Sequence, residues 1–388
     1  MDRRLLALSF GNFMIGTGTL IVPGMLPVLA HGLSVDVPVA AQLITAFAFT
    51  VCVTAPLLAA LTARFDRRSL LVTVQLLFAA GHVASAFVIG YRTLFALRVF
   101  LSLGAALFTA QAAATAGLLA APDRRGGAIA LVFVGWSIAS VAGMPLGAYV
   151  GETLGWRAGF ALVGAGALIA AGALRLTIPP ALFVAPIDRG MWGALFGSLP
   201  LMLTIAVTAV QAAAQFTVFS FLVPAFKAFG TATPLAVSAL LALFGITGVI
   251  GNVVGARMLD RFGAPRVILA ALLSMLAGHL LWPFAGRSLA VLVASLLLWG
   301  VGCFSTNSAQ QARLVFLSPS HAPVSIAMNS SAIYLGQALG TAAGGALLAG
   351  GAGRYADLAW LSIPVFVLAI VLSLVAERES VRAVAPAR

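Results

Sequence analysis

Uncharged polar side chains recur at helical spacing in one apolar stretch of the chain. Steps of 4, 3 and 4 residues place four of them on one helix face: Thr204, Thr208, Gln211 and Gln215. A polar stripe facing lipid is unfavourable, so this face must contact another helix or a wet cavity. Hydroxyls and amides without carboxylates suit a neutral or mildly anionic amphipathic solute. Hydrogen bonding between helices is the alternative role for the stripe.

Other apolar stretches carry similar groups, and together they predict a substrate-binding cavity. A second stripe holds Ser330, Tyr334, Gln337 and Thr341. The predicted cavity residues are Asn12, Thr19, Gln42, Arg98, Thr208, Gln211, Gln215, Asn252, Asn307, Ser330, Tyr334 and Gln337.

Ionisable groups inside apolar stretches are few. Arg98 is the only charge that the sequence places well inside a predicted span and away from its ends, about five residues from the outer end. An isolated charge there costs about 2.5–3.5 kcal/mol on insertion scales and marks a functional site, unless the side chain snorkels to the interface. His82 and Glu152 are the candidate proton sites, since histidine titrates near neutral pH and Glu152 could pair with Arg98. Packing and a loop position are their alternative roles.

The sequence offers no chemistry of covalent or metal-dependent catalysis. Cys52 and Cys303 match no paired or metal-ligand spacing, so small apolar packing residues are predicted there. No HExxH motif and no carboxylate pair occurs within the apolar stretches. We therefore predict no enzyme, no cofactor and no metal site.

Composition predicts an all-α integral membrane protein with twelve transmembrane helices. Apolar residues make up 62% of the 388 residues and charged residues only 8%, against about 25% charged in soluble chains. About 20 apolar residues cross a bilayer. The predicted spans are 5–30, 38–62, 69–90, 93–120, 127–151, 158–178, 193–223, 235–256, 266–285, 288–312, 324–349 and 358–376.

The chain contains two copies of one sequence pattern, 197 positions apart. Pro27 matches Pro224, His82 matches His279, and further Arg, Phe and Gly pairs fit the same register. We predict two pseudo-symmetric six-helix halves, at 1–178 and 193–388, joined by a cytoplasmic linker at 179–192. Internal repeats are typical of transporters, which bind substrate between two halves near the membrane midplane.

Basic residues predict the orientation. With a cytoplasmic N-terminus, 16 Arg or Lys fall on inside segments and 5 on outside segments. The positive-inside rule then places both termini in the cytoplasm of a multi-pass cell (inner) membrane protein. The net charge of +12 is scattered in short clusters, so it does not indicate nucleic-acid binding. The predicted partners are the lipid bilayer, a small-molecule substrate and protons, and we expect a monomer.

Several motifs carry a family resemblance across essentially the whole chain. Residues 256–263 (ARMLDRFG) and 61–68 (LTARFDRR) resemble the loop signature of the major facilitator superfamily. Residues 98–104 (RVFLSLG) look like its intramembrane arginine motif. The strings at 143–147 (GMPLG) and 328–337 (MNSSAIYLGQ) are similar to those of twelve-span drug:proton antiporters of the arabinose efflux permease-like subgroup. The resemblance implies gating roles for Arg64, Asp66, Arg67, Asp260, Arg261, Gly143, Pro145 and Gly147.

The resemblance implies a secondary active transporter that works by alternating access. The expected activity is export of a small drug-like or sugar-like organic compound by proton antiport. Thr19 and Val28 stand where many subgroup members place glutamate, and no acidic residue falls mid-span. The alternative is therefore a facilitator or importer of a small neutral or anionic solute without proton coupling.

Overall fold

The computed structural model is helical throughout its twelve spans. It describes residues 2–62, 64–121, 124–183, 193, 195–231, 233–318, 322–351 and 355–384. Within those residues, twelve helices are long and apolar enough to cross a membrane, which confirms the predicted all-α architecture. Spans 1 to 12 are Arg3–Gly24, Val37–Leu61, Arg67–Ala86, Tyr91–Leu119, Arg125–Leu154, Trp156–Thr177, Leu199–Phe219, Pro234–Phe262, Ala264–Arg287, Leu289–Leu317, Val324–Ala349 and Leu358–Ser380.

The first and seventh spans are shorter than predicted because each helix breaks near a proline. Span 1 ends at Gly24, and a short helix Leu26–Gly32 follows with Pro27 in its first turn. Span 7 ends at Phe219, and Leu222–Ala228 follows with Pro224 inside it. Proline has no N–H to donate, and its ring clashes with the carbonyl of the residue four positions earlier, so the helix breaks in the turn that precedes it. The repeat thus includes the helix break as well as the span.

Span 5 contains a π-helical turn directly before its proline. The helix Arg125–Ile138 passes into the π turn Ala139–Gly143 and continues as Met144–Leu154, with Pro145 in its first turn. Pro145 has no N–H, so it cannot bond the carbonyl four residues earlier, and a π turn accommodates the mismatch. The Gly-Pro motif therefore reshapes the middle of this span.

Contacts between Cα atoms divide the chain into two compact units. The first contains residues 1–186 with 222–224 and 231–242, and the second contains 187–221, 225–230 and 243–388. The division falls within the predicted linker, 179–192, of which residues 184–192 lie outside the described part. The predicted boundaries at 178 and 193 remain a prediction.

Glycines allow a very close helix contact in the second unit, between spans 7 and 11. A Cβ atom placed on Gly336 would lie 2.3 Å from Ala209 O, and one on Gly340 would lie 2.2 Å from Ala213 O. These distances are far below van der Waals contact, so only glycine allows the two backbones to approach this closely. Gly344 continues the row toward Thr217 O, at 2.6 Å.

Candidate functional site

In the second unit, the polar stripe of span 7 is hydrogen-bonded to neighbouring spans. Thr208 donates to Asn329 Oδ1 of span 11 at 2.6 Å, and Gln211 Nε2 donates to Gln215 Oε1 at 2.8 Å. Thr204 bonds within its own helix, to Pro200 O. All four stripe residues are buried. The stripe therefore does bond between helices, which was the alternative role, and a cavity role for Gln211 and Gln215 remains a prediction.

Two sulfur-containing residues join this cluster. Cys303 Sγ of span 10 lies 3.3 Å from Gln215 Oε1, and Met275 Sδ of span 9 lies 3.8 Å from Gln211 Nε2. The interpretation of Cys303 as an apolar packing residue is wrong, because its thiol bonds to a polar side chain. Met275 and Asn329 were not predicted as members of this cluster, since an isolated methionine or asparagine in a sequence gives no sign of its partner.

The remaining second-unit candidates are dispersed. Ser330 bonds to Ile326 O of its own helix at 3.0 Å, Tyr334 is half-buried and Gln337 is buried. Asn252 accepts a hydrogen bond from Ser308, between spans 8 and 10. Asn307 is exposed and accepts from Gln311. These contacts do not gather the predicted set around one point.

In the first unit, both polar atoms of the Asn12 side chain are hydrogen-bonded. Its Nδ2 donates to Val132 O at 2.9 Å, and its Oδ1 accepts from Thr109 at 2.7 Å, so it links spans 1, 5 and 4. Thr19 bonds to Ile15 O within span 1, and Gln42 is exposed. Asn12 and Thr19 thus have intramolecular partners.

Arg98 and His82 converge on Gly18. The Arg98 side chain is 0% exposed, donates from Nη1 to Gly18 O at 3.0 Å, and lies 4.3 Å from the Phe47 ring centroid. His82 bonds through Nδ1 to Phe78 O at 2.9 Å, and its Nε2 would lie 2.8 Å from a Cβ on Gly18. Arg98 Nε and His82 Nε2 have no hydrogen-bonding partner among the described residues. Arg98 therefore does not snorkel, and it pairs with no carboxylate of the described chain.

His279 occupies the matching position of the second half but has a different neighbourhood. Its Nδ1 bonds to Met275 O at 2.9 Å, and its ring packs against Trp299 and Phe366. Where the first half has Arg98, the second half has Ser295, which donates to Gly278 O. A buried cation beside the histidine is thus a feature of the first half.

Arg98 is not the only charge within a span, contrary to the sequence analysis. Arg313 of span 10 is 2% exposed and pairs with Glu377 of span 12 at 3.1 Å. Span 10 continues to Leu317, five residues beyond its predicted end, so Arg313 falls inside it. Glu152 is half-buried near the end of span 5 and does not contact Arg98.

The first predicted gating loop, which contains Asp66, is held by several hydrogen bonds. Asp66 accepts hydrogen bonds from Ser69 N–H and Ser69 Oγ at 2.9 Å, and from Leu182 N–H at 3.0 Å. Burial alone would raise the pKa of Asp66, but these hydrogen bonds hold that pKa below its ordinary value. Arg67 is buried and donates to Gln111 at 2.6 Å. Arg64 is exposed.

The second predicted gating loop differs from the first in the exposure of its charged residues. Asp260 and Arg261 are both exposed, and the Arg261 guanidinium lies over the Phe262 ring at 5.2 Å. Asp260 forms no ion pair with a described residue. The loop contacts of Asp66 therefore have no counterpart at Asp260 among the described residues.

We predict that Asp66→Ala lowers the unfolding free energy by about 1 kcal/mol, because Asp66 caps the helix of span 3. The ionised carboxylate is stabilised in the folded state. Its contribution is present above the unfolded pKa of 3.8 and is lost as pH falls through the lower folded value. Denaturant titrations at pH 7 and pH 3 measure both effects. Asp36→Ala is the control, since Asp36 makes no side-chain capping bond; equal losses in both variants would contradict the assignment.

The Gly-Pro motif of span 5 packs on span 1. A Cβ on Gly143 would lie 2.2 Å from Thr17 Oγ1, and one on Gly147 would lie 2.8 Å from Ile21 Cγ1. Pro145 O accepts from Ser238, which belongs to the first compact unit, at 3.0 Å. Close packing of these glycines fits sliding contacts, but their gating role remains a prediction.

Two long, overlapping segments of the chain match one known family. The sequence profile of the Major Facilitator Superfamily matches residues 8–232 and 208–388. The chain belongs to this superfamily. Its members are transporters and not enzymes, so the prediction of no enzymatic activity is confirmed.

Similar proteins of this family include named transporters. The inner membrane transport protein YdhP of Escherichia coli is 32% identical over 349 residues, covering 90% of each chain. The chloramphenicol resistance protein of Streptomyces lividans is 32% identical over 344 residues, 88% of each chain. A probable sugar efflux transporter of Mannheimia succiniciproducens is 28% identical over 337 residues, covering 86% of this chain and 84% of that protein.

Solved structures of the same fold cover almost the whole chain. An inward-facing bacterial homologue of the human lysosomal transporter Spinster superposes with a TM-score of 0.79 at 16% identity, over 99% of this chain and 98% of that one. A D-xylose–proton symporter gives a TM-score of 0.79 at 17% identity, over 96% of each. These superpositions show the fold, and the family match together with the relatives identifies the chain as an inner-membrane transporter of small solutes.

Proposed function

We propose that this superfamily member exports a small organic compound by alternating access, driven by proton antiport. The observation that carries the coupling is the convergence of buried Arg98 and His82 on Gly18. Protonating His82 would place two positive charges in a buried space, so Arg98 would have to move or lose its bond to Gly18 O. The efflux-type names of two relatives support the direction of transport.

Uncoupled facilitation is the second candidate function, and a specific observation favours it. Every acidic residue in the described spans lies within the last four residues of its span: Glu152, Asp260, Glu377 and Glu379. A proton pathway built on carboxylates would place one deeper in the membrane. In this chain we therefore assign the coupling of the proposed antiport to His82, which lies beside the buried Arg98.

We predict that His82→Gln removes the dependence of transport on a pH gradient while His279→Gln retains it. Glutamine keeps a polar side chain of similar length but does not titrate. Flux of chloramphenicol and arabinose into proteoliposomes, with and without an imposed pH gradient, measures the difference. Retention of the dependence in His82→Gln would exclude His82 as the proton site. Its loss in His279→Gln as well would contradict the assignment of coupling to the first half alone.

We propose that both termini are cytoplasmic, as the distribution of Arg and Lys indicates. Gly126 and Gly90 are exposed, and a Cβ on either would meet nothing within 4 Å, so cysteine fits both places. In a background without Cys52 and Cys303, Gly126→Cys should react with an impermeant maleimide only from inside. Gly90→Cys should react only from outside, and the reverse pattern would overturn the orientation.

A further inference from the structure

One sulfur atom fixes the direction of the hydrogen-bonded chain between spans 7, 9 and 10. The Met275 thioether accepts hydrogen bonds but cannot donate them. Gln211 must therefore turn its Nε2 donor toward Met275 Sδ, at 3.8 Å. The same Nε2 donates to Gln215 Oε1 at 2.8 Å, and the Cys303 thiol donates to that oxygen at 3.3 Å. Both amide orientations follow from Met275.

This arrangement leaves one acceptor and one donor unused. Gln211 Oε1 and Gln215 Nε2 have no hydrogen-bonding partner among the described residues, and neither is one of the fully buried unpaired polar atoms. Each residue is 7% exposed. The two side chains lie one helical turn apart on the same face of span 7. They present an acceptor beside a donor to accessible space.

We propose that Gln211 Oε1 and Gln215 Nε2 bind a neutral solute through a donor and an acceptor placed side by side, as in a carboxamide or a vicinal diol. The inference rests on the proposed function and narrows its substrate class. Met275 and Cys303 are positioning residues, since they hold the two amides in this orientation. Their side chains are uncharged, so a charged solute would lose hydration here without gaining a counter-ion from them.

Packing holds the sulfur of Met275 in place. Met275 is 0% exposed, and a Cβ on Gly302 of span 10 would lie 2.6 Å from Met275 Cγ. The same Cβ would lie 2.4 Å from Ala271 O, so spans 9 and 10 are in close contact at this point. The acceptor that orients Gln211 is thus part of a tight helix contact.

Equilibrium binding to the purified full chain in lipid nanodiscs tests the substrate class. One probe series is benzamide and N,N-dimethylbenzamide; the other is methyl glucoside and its fully O-methylated derivative. Methylation removes the donor in each series and leaves the acceptor. Wild type should bind benzamide or methyl glucoside at least tenfold more tightly than its methylated partner. The series that binds identifies the chemistry as amide or diol.

Gln215→Glu tests the assigned atoms. The glutamate keeps an oxygen that accepts from Gln211 and Cys303, and it replaces the free donor with a second acceptor and a negative charge. The affinity for the bound probe should fall at least tenfold, and binding of benzylammonium should rise. Gln211→Glu is the contrasting variant, because it removes the donor to both Met275 and Gln215 and should lower the melting temperature.

Met275→Leu keeps the volume and removes the acceptor that orients Gln211. Its discrimination between methylated and unmethylated probes should fall at least threefold with the protein still folded. The proposal is overturned if wild type binds neither series or does not discriminate, or if Gln215→Glu leaves the probe preference unchanged. In that case, flux of other compounds by the same preparation would show that the proposed function holds without this binding site.

Discussion

A single methyl group at Gly340 is expected to destabilise the protein by about 3 kcal/mol, at the upper end of overpacking effects. The Cβ of Gly340→Ala would lie 2.2 Å from Ala213 O, and a backbone carbonyl cannot move aside as a side chain can. Spans 7 and 11 would have to separate, which would also disturb the bond between Thr208 and Asn329.

Gly172→Ala is the matched control for this prediction. Gly172 lies within the helix of span 6, and a Cβ there would meet nothing within 4 Å. Alanine should therefore leave stability unchanged or raise it by about 1 kcal/mol through its helix propensity. Unfolding in mixed detergent micelles measures both variants. If Gly340→Ala unfolds like Gly172→Ala, the close approach of spans 7 and 11 is wrong.

Arg98→Met should reduce transport at least 100-fold and leave the protein folded. A buried guanidinium without a carboxylate partner is costly to retain, so methionine should preserve or increase stability. Transport should fail because the cation beside His82 is gone. Flux in proteoliposomes and melting temperature, measured on one preparation, separate the two effects.

Arg287→Met is the control, because Arg287 also lies over a phenylalanine ring, at 4.9 Å from Phe284, but is exposed. We expect this variant to keep both transport and stability. Loss of folding in Arg98→Met, or transport equal to wild type, would show that Arg98 is a structural residue only.

The sequence predicted the spans well because their signal is local. Apolar length defines each helix, and the register between the halves holds for Pro27 with Pro224 and for His82 with His279. The helix breaks after Gly24 and Phe219 were not predicted, because proline marks a probable boundary and apolar composition continues through it. Arg313 was placed outside its span for the opposite reason, because the charge interrupts the apolar run whereas the helix continues to Leu317.

The hydrogen-bonding partners of buried polar side chains could not be predicted from the sequence. Asn12 bonds to a carbonyl 120 positions away, and Thr208 bonds to a residue 121 positions away. Periodicity identifies the face on which such a residue lies, but it does not identify which neighbouring helix satisfies it. The contact between Cys303 and Gln215 was not predicted for the same reason, because a cysteine in an apolar run carries no sign of its neighbour.

The two halves share a plan and differ in chemistry at matching positions. Gly18 and Gln215 are 197 positions apart, as are Arg98 and Ser295. Both halves hold a histidine at matching positions, but the first half places a cation beside it, whereas the second half has amides and sulfur atoms. We propose that the halves divide the work, with coupling in the first and solute recognition in the second.

Substrate accumulation driven only by a pH gradient tests the proton-antiport account most directly. Proteoliposomes with an acidic lumen, supplied with labelled chloramphenicol or arabinose at equal concentration on both sides, isolate that driving force. The account predicts net accumulation in the acidic lumen, which a protonophore abolishes. Concentrations that stay equal, with exchange of label at the same rate with and without the gradient, would contradict it and identify an uncoupled facilitator.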